Sequence, residues 1–289
     1  MRIEYSEELY PERLRDIKNP PSRLYVLGNI EILNDHAIAV VGSRHNTQYG
    51  ERMCKKFTKN LVEYGINIIS GLAIGIDTIA HETCLKNSGK TIAVLPCGLK
   101  NIYPKSNISL ANKILENDGL LITEYEDDVR ADSNKFRERN RIVAGLGMGT
   151  LVVEAGERSG TNITARHTLE QGKPVFSIPS SLENTKGTTT NKLIKNGCNL
   201  VTDVSDILNQ YKDIEFKKRL QVKKEVNIDI PLELIDIYKA LDNKPKSINE
   251  IAIKTGIPIS EINYKLMILE IDNKIKELPG QLFIRKDDE

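Results

Sequence analysis

Two glycine-containing segments of this chain have the composition of anion-binding turns. They are Gly42-Ser43-Arg44, after one apolar run, and Ser70-Gly71-Leu72-Ala73-Ile74-Gly75, after the next. Turns at the carboxyl ends of parallel strands present backbone N–H groups to a ligand, and a guanidinium can bind a phosphate there. Neither segment has the spacing of a Walker motif or of the dinucleotide fingerprint. The turns therefore predict a site for a nucleotide or a nucleic-acid backbone, with no bound ATP or NAD implied.

A dense basic segment lies further along the chain. It contains Lys135, Arg137, Arg139 and Arg141 around Phe136. A solvated helical face would more often alternate the signs of its charges. Because cations hold phosphates while an aromatic ring stacks on a base, the segment predicts a contact with single-stranded nucleic acid. The alternative is that the phenylalanine anchors the segment in the hydrophobic core.

A third glycine-containing turn begins at Glu154 and includes Ser159 and Gly160. A carboxylate at the end of a strand could take part in hydrolysis, or it could hold the guanidinium groups of Arg139 and Arg141 by bidentate pairing. We favour the second interpretation. No nucleophile arrangement is recognisable from spacing, and the four cysteines and four histidines show no metal-ligand spacing. The sequence therefore predicts neither a metal nor a cofactor.

Composition restricts the class of protein. The chain has 289 residues, of which 39% are hydrophobic and 28% charged, and its formal net charge is +1. This charge argues against a wholly electrostatic DNA binder, so any nucleic-acid contact must be local. No apolar run approaches the ~20 residues of a membrane helix, and the first residues lack the apolar core of a signal peptide. We expect two domains in a cytoplasmic protein.

The elements that position the candidate residues alternate between strand and helix patterns. Strands are predicted near 37–41, 67–70, 91–95, 120–123, 151–154, 175–178 and 199–201, with helices at 47–64 and 76–88. Glycines 65 and 89 follow these helices and predict left-handed caps. The alternation predicts an α/β fold with a doubly wound, mainly parallel sheet of six or seven strands. We expect a short leader over 1–36, the sheet domain over 37–211 and a charged linker over 212–229.

Residues 230–289 have a different pattern. Helices are predicted at 231–241, 247–255 and 260–271, followed by a hairpin around Pro279-Gly280, which together describe a winged helix. The segment has about 9 basic and 11 acidic residues, a net charge of about −2, and its third helix contains a single lysine. A DNA-reading module is normally basic. We therefore expect this domain to have a protein-contact or regulatory role, and not to read DNA.

Several motifs together resemble the DprA (Smf) family of bacterial DNA-processing proteins. In chain order they are V-V-G-S-R, S-G-L-A-I-G-I-D-x-x-A-H, T-I-A-V-L-P-C-G-L-x-x-I-Y-P, F-x-x-R-N-R-I-V-A-G-L, V-V-E-A-x-x-x-S-G-T and N-K-L-I-K-N-G. The resemblance covers roughly 5–206 and continues into the tail. It implies an extended Rossmann-like domain that binds single-stranded DNA without sequence preference. It also implies a homodimer that protects incoming DNA and loads the RecA recombinase during natural transformation, without catalysis.

The resemblance also implies which residues bind. The candidates for phosphate and single-stranded DNA are Gly42, Ser43, Arg44, Ser70, Gly71, Gly75, Lys135, Phe136, Arg139, Asn140 and Arg141, joined by Ser159 and Gly160 of the third turn. The chain departs from the family pattern at Pro179-Ser180, where Pro-Gly is usual, and in a longer segment over 187–191. The leader is also shorter than the helical N-terminal domain of many members.

Two other classes of function remain open from the sequence. Phosphoribohydrolases that act on nucleotides resemble this chain in their sheet and in an Arg/Glu pair, so Arg139 and Glu154 could cleave a glycosidic bond. Those enzymes carry a P-G-G-x-G-T turn, whereas this chain has Ser159-Gly160-Thr161 without it. The third class is a sensor that binds a small nucleotide and signals through the winged helix.

Overall fold

The structure is a computed structural model, and it describes residues 1–157, 159–219, 230–242, 245–272 and 274–286. The chain divides into two compact units, Met1–Gln221 and Val222–Glu289. No described helix is both long and apolar enough to cross a membrane.

The first unit contains one nine-stranded sheet. Its strands are β1 (Arg2–Glu4), β2 (Arg23–Gly28), β3 (Ala37–Val41), β4 (Asn67–Ser70), β5 (Thr91–Val94), β6 (Leu120–Thr123), β7 (Gly149–Val152), β8 (Val175–Ser177) and β9 (Asn199–Leu200). They lie in the order β1-β2-β6-β5-β4-β3-β7-β8-β9. The strands from β3 to β9 are all parallel to one another, while β1 and β2 join the edge beside β6 in antiparallel pairing. The prediction of a mainly parallel sheet is confirmed.

The predicted number of six or seven strands is wrong, because the segment expected to be a leader supplies two more. Leu24 and Val26 of β2 are buried, and alternate residues of this strand are less buried. That alternation is typical of an antiparallel strand with one covered face. β2 pairs with β6 from Tyr25 opposite Thr123 to Gly28 opposite Leu120. Residues 1–36 therefore contribute two strands to the sheet, at the edge remote from β9.

Helices cover both faces of the sheet. They are α1 (Glu12–Arg15), α2 (Gln48–Glu63), α3 (Ile76–Lys86), α4 (Ile108–Glu116), α5 (Ser133–Leu146), α6 (Thr161–Glu170), α7 (Thr188–Lys195) and α8 (Val204–Leu208). α1, α5 and α6 contribute to one buried cluster, and α2, α3 and α8 to another. All five residues of β3 are buried, as expected for a strand covered on both faces.

The two predicted glycine caps have different outcomes. Gly65 after α2 has a φ of +75° and takes the left-handed conformation as predicted. After α3 the left-handed residue is Ser88, with a φ of +57°, one position before Gly89. Gly89 instead provides close packing, because a Cβ there would lie 2.7 Å from Cys84 Sγ.

Part of the predicted linker packs on the first unit. The ring of Phe216 lies 5.8 Å from that of His36 and 6.2 Å from that of Tyr211, and the Arg219 N–H donates to the Glu63 carbonyl at 2.6 Å. Residues 212–219 therefore pack on the first unit, next to the end of α2. Their charged composition had predicted an exposed linker. The remainder of the predicted linker, 220–229, lies outside the described residues.

The second unit has the predicted three helices and a small sheet. Its elements are α9 (Ile235–Ala240), β10 (Lys246–Ser247), α10 (Ile248–Thr255), α11 (Ile259–Ile271), β11 (Ile275–Leu278) and β12 (Leu282–Arg285), with strand order β10-β12-β11. Ser247 and Glu250 form a reciprocal capping box at the start of α10, which fixes where that helix begins. Ile237, Ile262 and Phe283 bury against one another in its core. The predicted hairpin is present, and β10 adds a short third strand.

Candidate nucleic-acid interface

The candidate site lies where the strand order of the sheet reverses. β3 and β7 are neighbours, and the chain runs from β3 toward β4 on one side and from β7 toward β8 on the other. In doubly wound sheets such a point leaves a crevice at the carboxyl ends of the strands. A cavity of about 850 Å³ lies there, between the turns after β3, β4 and β7 and the first turns of α5 and α6.

Nine of the thirteen candidate residues line this cavity. They are Gly42, Ser43, Arg44, Gly71, Phe136, Arg139, Asn140, Ser159 and Gly160. Segments that are far apart in the chain, from residue 42 to residue 160, thus meet around one space. The sequence-predicted turns and basic segment form one site.

The other four candidates lie outside the cavity. The Ser70 hydroxyl is buried and donates to the Val40 carbonyl at 2.7 Å. Gly75 packs against the turn after β3, where a Cβ would lie 2.4 Å from the Ser43 carbonyl oxygen. Lys135 pairs with Asp132, and Arg141 pairs with Glu124 at 2.6 Å. These four residues support the walls of the site.

An aromatic and cationic cluster forms one wall of the cavity. The Arg44 guanidinium carbon lies 4.9 Å from the centre of the Phe136 ring. The Tyr103 ring meets the same phenylalanine edge-on, with centroids 5.7 Å apart and an interplanar angle of 77°. Phe136 is half-buried, and Tyr103 is 49% exposed. The phenylalanine is therefore at the cavity surface, as the sequence interpretation requires, and not in the hydrophobic core.

Arg139 lies beneath this cluster and is only 4% exposed. Its Nη1 donates to the carbonyl of Gly71 at 2.6 Å and to the carbonyl of Val94, and its Nε donates to Asn140 Oδ1 at 3.2 Å. Burial lowers the pKa of this guanidinium to about 10. The side chain thus fastens α5 to the ends of β4 and β5, and it forms the cavity floor.

The second glycine turn is held by Asp77 of α3. One carboxylate oxygen, Oδ2, accepts hydrogen bonds from the Gly71 N–H at 3.1 Å and the Ala73 N–H at 3.4 Å, and burial raises the pKa of this carboxyl. The Ile76 N–H donates to the Ser43 carbonyl at 3.1 Å. These amides already have partners within the protein. The turn therefore supplies shape to the site, whereas the sequence suggested that its amides would receive phosphate.

Glu154 does not pair with Arg139 or Arg141, so that expectation is wrong. It is 1% exposed, and its carboxylate accepts hydrogen bonds from the Thr47 N–H and hydroxyl, both at 2.7 Å, and from Asn184 Nδ2 at 3.0 Å. The carboxylate joins the turn before α2 to the loop after β8. It is covered by these donors and is not presented to the cavity.

Cations without a carboxylate partner remain at the cavity edge. Arg44, Arg137 and Lys186 line it, and no carboxylate of the described residues forms an ion pair with any of them. Two lining carboxylates are engaged elsewhere, since Asp132 caps α5 and Glu157 pairs with Lys192 at 2.6 Å. The cavity edge therefore favours anions.

Tyr103 and Lys186 are among the lining residues that sequence reasoning missed. Tyr103 lies in the I-Y-P motif after β5, and Lys186 lies in the altered rim between Pro179 and Asn191. The tyrosine is 33 positions before Phe136 and has no local pattern that links it to the basic segment. Within the described residues, no group of His, Cys, Asp and Glu side chains is placed to hold a metal ion.

The fold and the cavity define a Rossmann-like protein with a site suited to phosphates and an unstacked base. The family model for DNA recombination-mediator protein A matches residues 2–212, and the model for the DprA winged helix domain matches residues 232–281. The chain belongs to the DprA family of DNA-processing proteins, and the resemblance stated from its motifs is confirmed.

Relatives and solved structures agree with this placement. Protein Smf of Escherichia coli is 36% identical over 285 residues, which are 96% of this chain and 75% of that protein. The X-ray structure of DNA processing protein A from Streptococcus pneumoniae has a TM-score of 0.70 at 38% identity and covers 75% of each chain. A Helicobacter pylori DNA processing protein A, described by its single-stranded DNA binding mode, has a TM-score of 0.66 at 30% identity, covering 74% of this chain and 98% of that one.

Proposed function

We propose that this chain binds single-stranded DNA in the cavity, without base preference and without catalysis. The observation that carries the proposal is the cluster of Arg44, Phe136 and Tyr103 at the cavity wall. A base can stack on an exposed aromatic ring, and neighbouring guanidinium groups can hold its phosphates. Family membership and the single-stranded DNA binding mode of the Helicobacter pylori relative support the same function.

Single strands should bind much more tightly than duplex, by at least about tenfold or 1.4 kcal/mol. A paired base stays inside its stack and cannot reach a half-buried ring such as Phe136. Fluorescence anisotropy with a labelled oligonucleotide and its matched duplex measures the ratio. The logarithm of single-strand affinity should fall linearly with that of salt concentration, by about 0.7 for each neutralised phosphate. Equal affinities for the two forms would contradict the proposed site.

Glu154 gives no support to the phosphoribohydrolase alternative. Hydrolysis of a glycosidic bond needs a carboxyl group that reaches the substrate. This carboxylate is buried under Thr47 and Asn184, and it faces away from the space that Arg139 underlies. A nucleotide-hydrolysis assay on the preparation used for DNA binding should show no product. Turnover of the nucleotide would instead support the phosphoribohydrolase alternative.

We further propose that the DNA-bound chain acts in the cytoplasm as a homodimer that protects incoming DNA and loads the RecA recombinase during natural transformation. The support is the family itself, whose model is described as a DNA recombination-mediator protein. The test is the rate of RecA filament assembly on an oligonucleotide with and without this chain, with sedimentation of the chain to establish its oligomeric state. No acceleration of assembly would reject the mediator role.

The winged helix fits a protein-contact role better than a DNA-reading one. Lys265 is the only cation in the sequence of α11, and it pairs with Glu261 at 2.6 Å. The exposed face of that helix instead presents Tyr264, Met267 and Ile271. Apolar side chains exposed together in this way mark contacts with other proteins more often than contacts with phosphates.

Removal of residues 230–289 should therefore change single-strand affinity by less than about tenfold, or 1.4 kcal/mol. The first unit holds the whole cavity and has hydrophobic clusters of its own. Anisotropy titration of the truncated and full chains measures the change, with sedimentation as the control for assembly. A larger loss in a folded truncated protein would show that the winged helix contacts DNA.

A further inference from the structure

A row of cations runs along the exposed face of α2, outside the cavity. Arg52, Lys55, Lys56 and Lys59 are all exposed. Their spacing of three, four and seven residues places them on one side of a helix. Over the seven residues from first to last, the helix rises by about 10 Å. The row follows from an amphipathic helix whose other face buries Cys54, Phe57 and Leu61.

The row is only partly neutralised by the residues around it. Lys55 pairs with Glu51 at 2.7 Å, and the Lys56 ammonium donates to the Thr202 carbonyl at 3.3 Å. Across the described part of the chain, no carboxylate forms an ion pair with Arg52 or Lys59. The chain as a whole is nearly neutral, so this face is a local excess of positive charge.

A second cavity connects this row to the proposed DNA site. It has a volume of about 620 Å³ and is lined by Thr47, Gln48, Tyr49, Arg52, Ser180, Ser181 and Asn184. Its wall is shared with the first cavity through one short turn, because Lys186 lines the first cavity and donates its backbone N–H to Asn184 Oδ1 at 3.0 Å. Arg52 thus belongs both to the second cavity and to the row on α2.

We infer that the second cavity and the row on α2 form a track for the phosphate backbone of the DNA strand as it leaves the first cavity. The strand would cross the turn at Asn184 and Lys186 and then follow Arg52, Lys56 and Lys59. Arg52 and the hydroxyls of Ser180 and Ser181 can bind phosphate oxygens in the second cavity, whereas the hydroxyls of Thr47 and Tyr49 and the amide of Asn184 already donate within the protein. Among its lining residues Tyr49 is the one aromatic side chain, so it has no aromatic pair like that of the first cavity. Three cations of the row, Arg52, Lys56 and Lys59, can neutralise up to about three phosphates.

This inference rests on the proposed single-strand binding. Comparing a short with a long oligonucleotide distinguishes a failure of the track from a failure of the proposed function. An oligonucleotide of about six nucleotides is long enough to engage the first cavity but has little length left for the track, whereas one of about thirty can engage both. The test compares the parent chain with a triple variant, Arg52→Gln, Lys56→Gln and Lys59→Gln. The control variant, Lys18→Gln, Lys113→Gln and Lys195→Gln, removes the same charge from exposed positions outside the track.

The triple variant should lose about tenfold or more of its affinity for the long oligonucleotide and keep its affinity for the short one. Its salt slope on the long strand should decrease by about 2, because three phosphates are no longer neutralised at about 0.7 each. The control variant should bind both the short and the long oligonucleotide with nearly the affinity of the parent chain. Unchanged long-strand affinity in the folded triple variant would overturn the track alone. Failure of the parent to bind either length would overturn the proposed function as well.

Discussion

Replacing Phe136 with leucine should weaken single-strand binding by about 1–3 kcal/mol, the value of one base stacked on an aromatic ring. That range corresponds to a loss of affinity of about 5- to 150-fold. Leucine keeps an apolar side chain against the half-buried surface but removes the ring that faces Arg44 and Tyr103. The effect therefore reports stacking rather than loss of packing.

Anisotropy titration with a short oligothymidine measures this loss, and Phe136→Tyr provides the matched control. Tyrosine retains the ring, so we expect the control to bind nearly as the parent does. Thermal unfolding of both variants establishes that the fold is intact. Parent-like affinity in the leucine variant would mean that no base stacks at this position.

Replacing Arg139 with methionine should cost about 1–3 kcal/mol of unfolding free energy, the cost of leaving buried hydrogen-bond acceptors without their donor. The loss leaves the carbonyls of Gly71 and Val94 without this donor, and it leaves the buried Asp77 without the nearby cation. From the sequence alone, alanine at 139 and 141 would be expected to leave the fold largely intact. The burial of Arg139 reverses that expectation.

Urea unfolding of the variant measures this change, and Arg137→Met is the control on the same helix. Arg137 is exposed, so its replacement should change stability by no more than about 0.5 kcal/mol. If Arg139→Met unfolded at the same urea concentration as the parent, Arg139 would not be the support that its hydrogen bonds describe. A double variant with Asp77→Asn should recover part of the loss, since it removes the unpaired carboxylate.

The sequence was a good guide to the parallel part of the sheet because those strands are buried on both faces. Continuous apolar runs such as 37–41 and 120–122 have few other interpretations beside glycine-containing turns. β1 and β2 were not predicted because their side chains are partly exposed and give no continuous apolar run. β2 joins the sheet by pairing with β6, about 100 residues away, and β1 joins it by pairing with β2, so neither position has a local signal.

The composition of the site was also predictable, but the partners of its side chains were not. The sequence predicted that Arg139 and Glu154 lie in the same region of the site. Only the packing of α5 and α2 shows that the two side chains bind different groups. Tyr103 joins Phe136 through the position of the loop after β5. The cations of α2 lie in a segment for which the sequence analysis predicted only a helix, and their relation to the cavity depends on the turn at Asn184.

Ultraviolet crosslinking of the full chain to a short oligothymidine, followed by mass spectrometry of the crosslinked peptides, tests most directly whether the cavity binds the strand. Stacked bases lie against aromatic rings, so the account predicts crosslinks at Phe136 or Tyr103. A variant with Arg44→Ala should give less product at the same DNA concentration, because its guanidinium is placed to hold a phosphate beside the ring. Crosslinks confined to the winged helix, with both cavity peptides unmodified, would contradict the account.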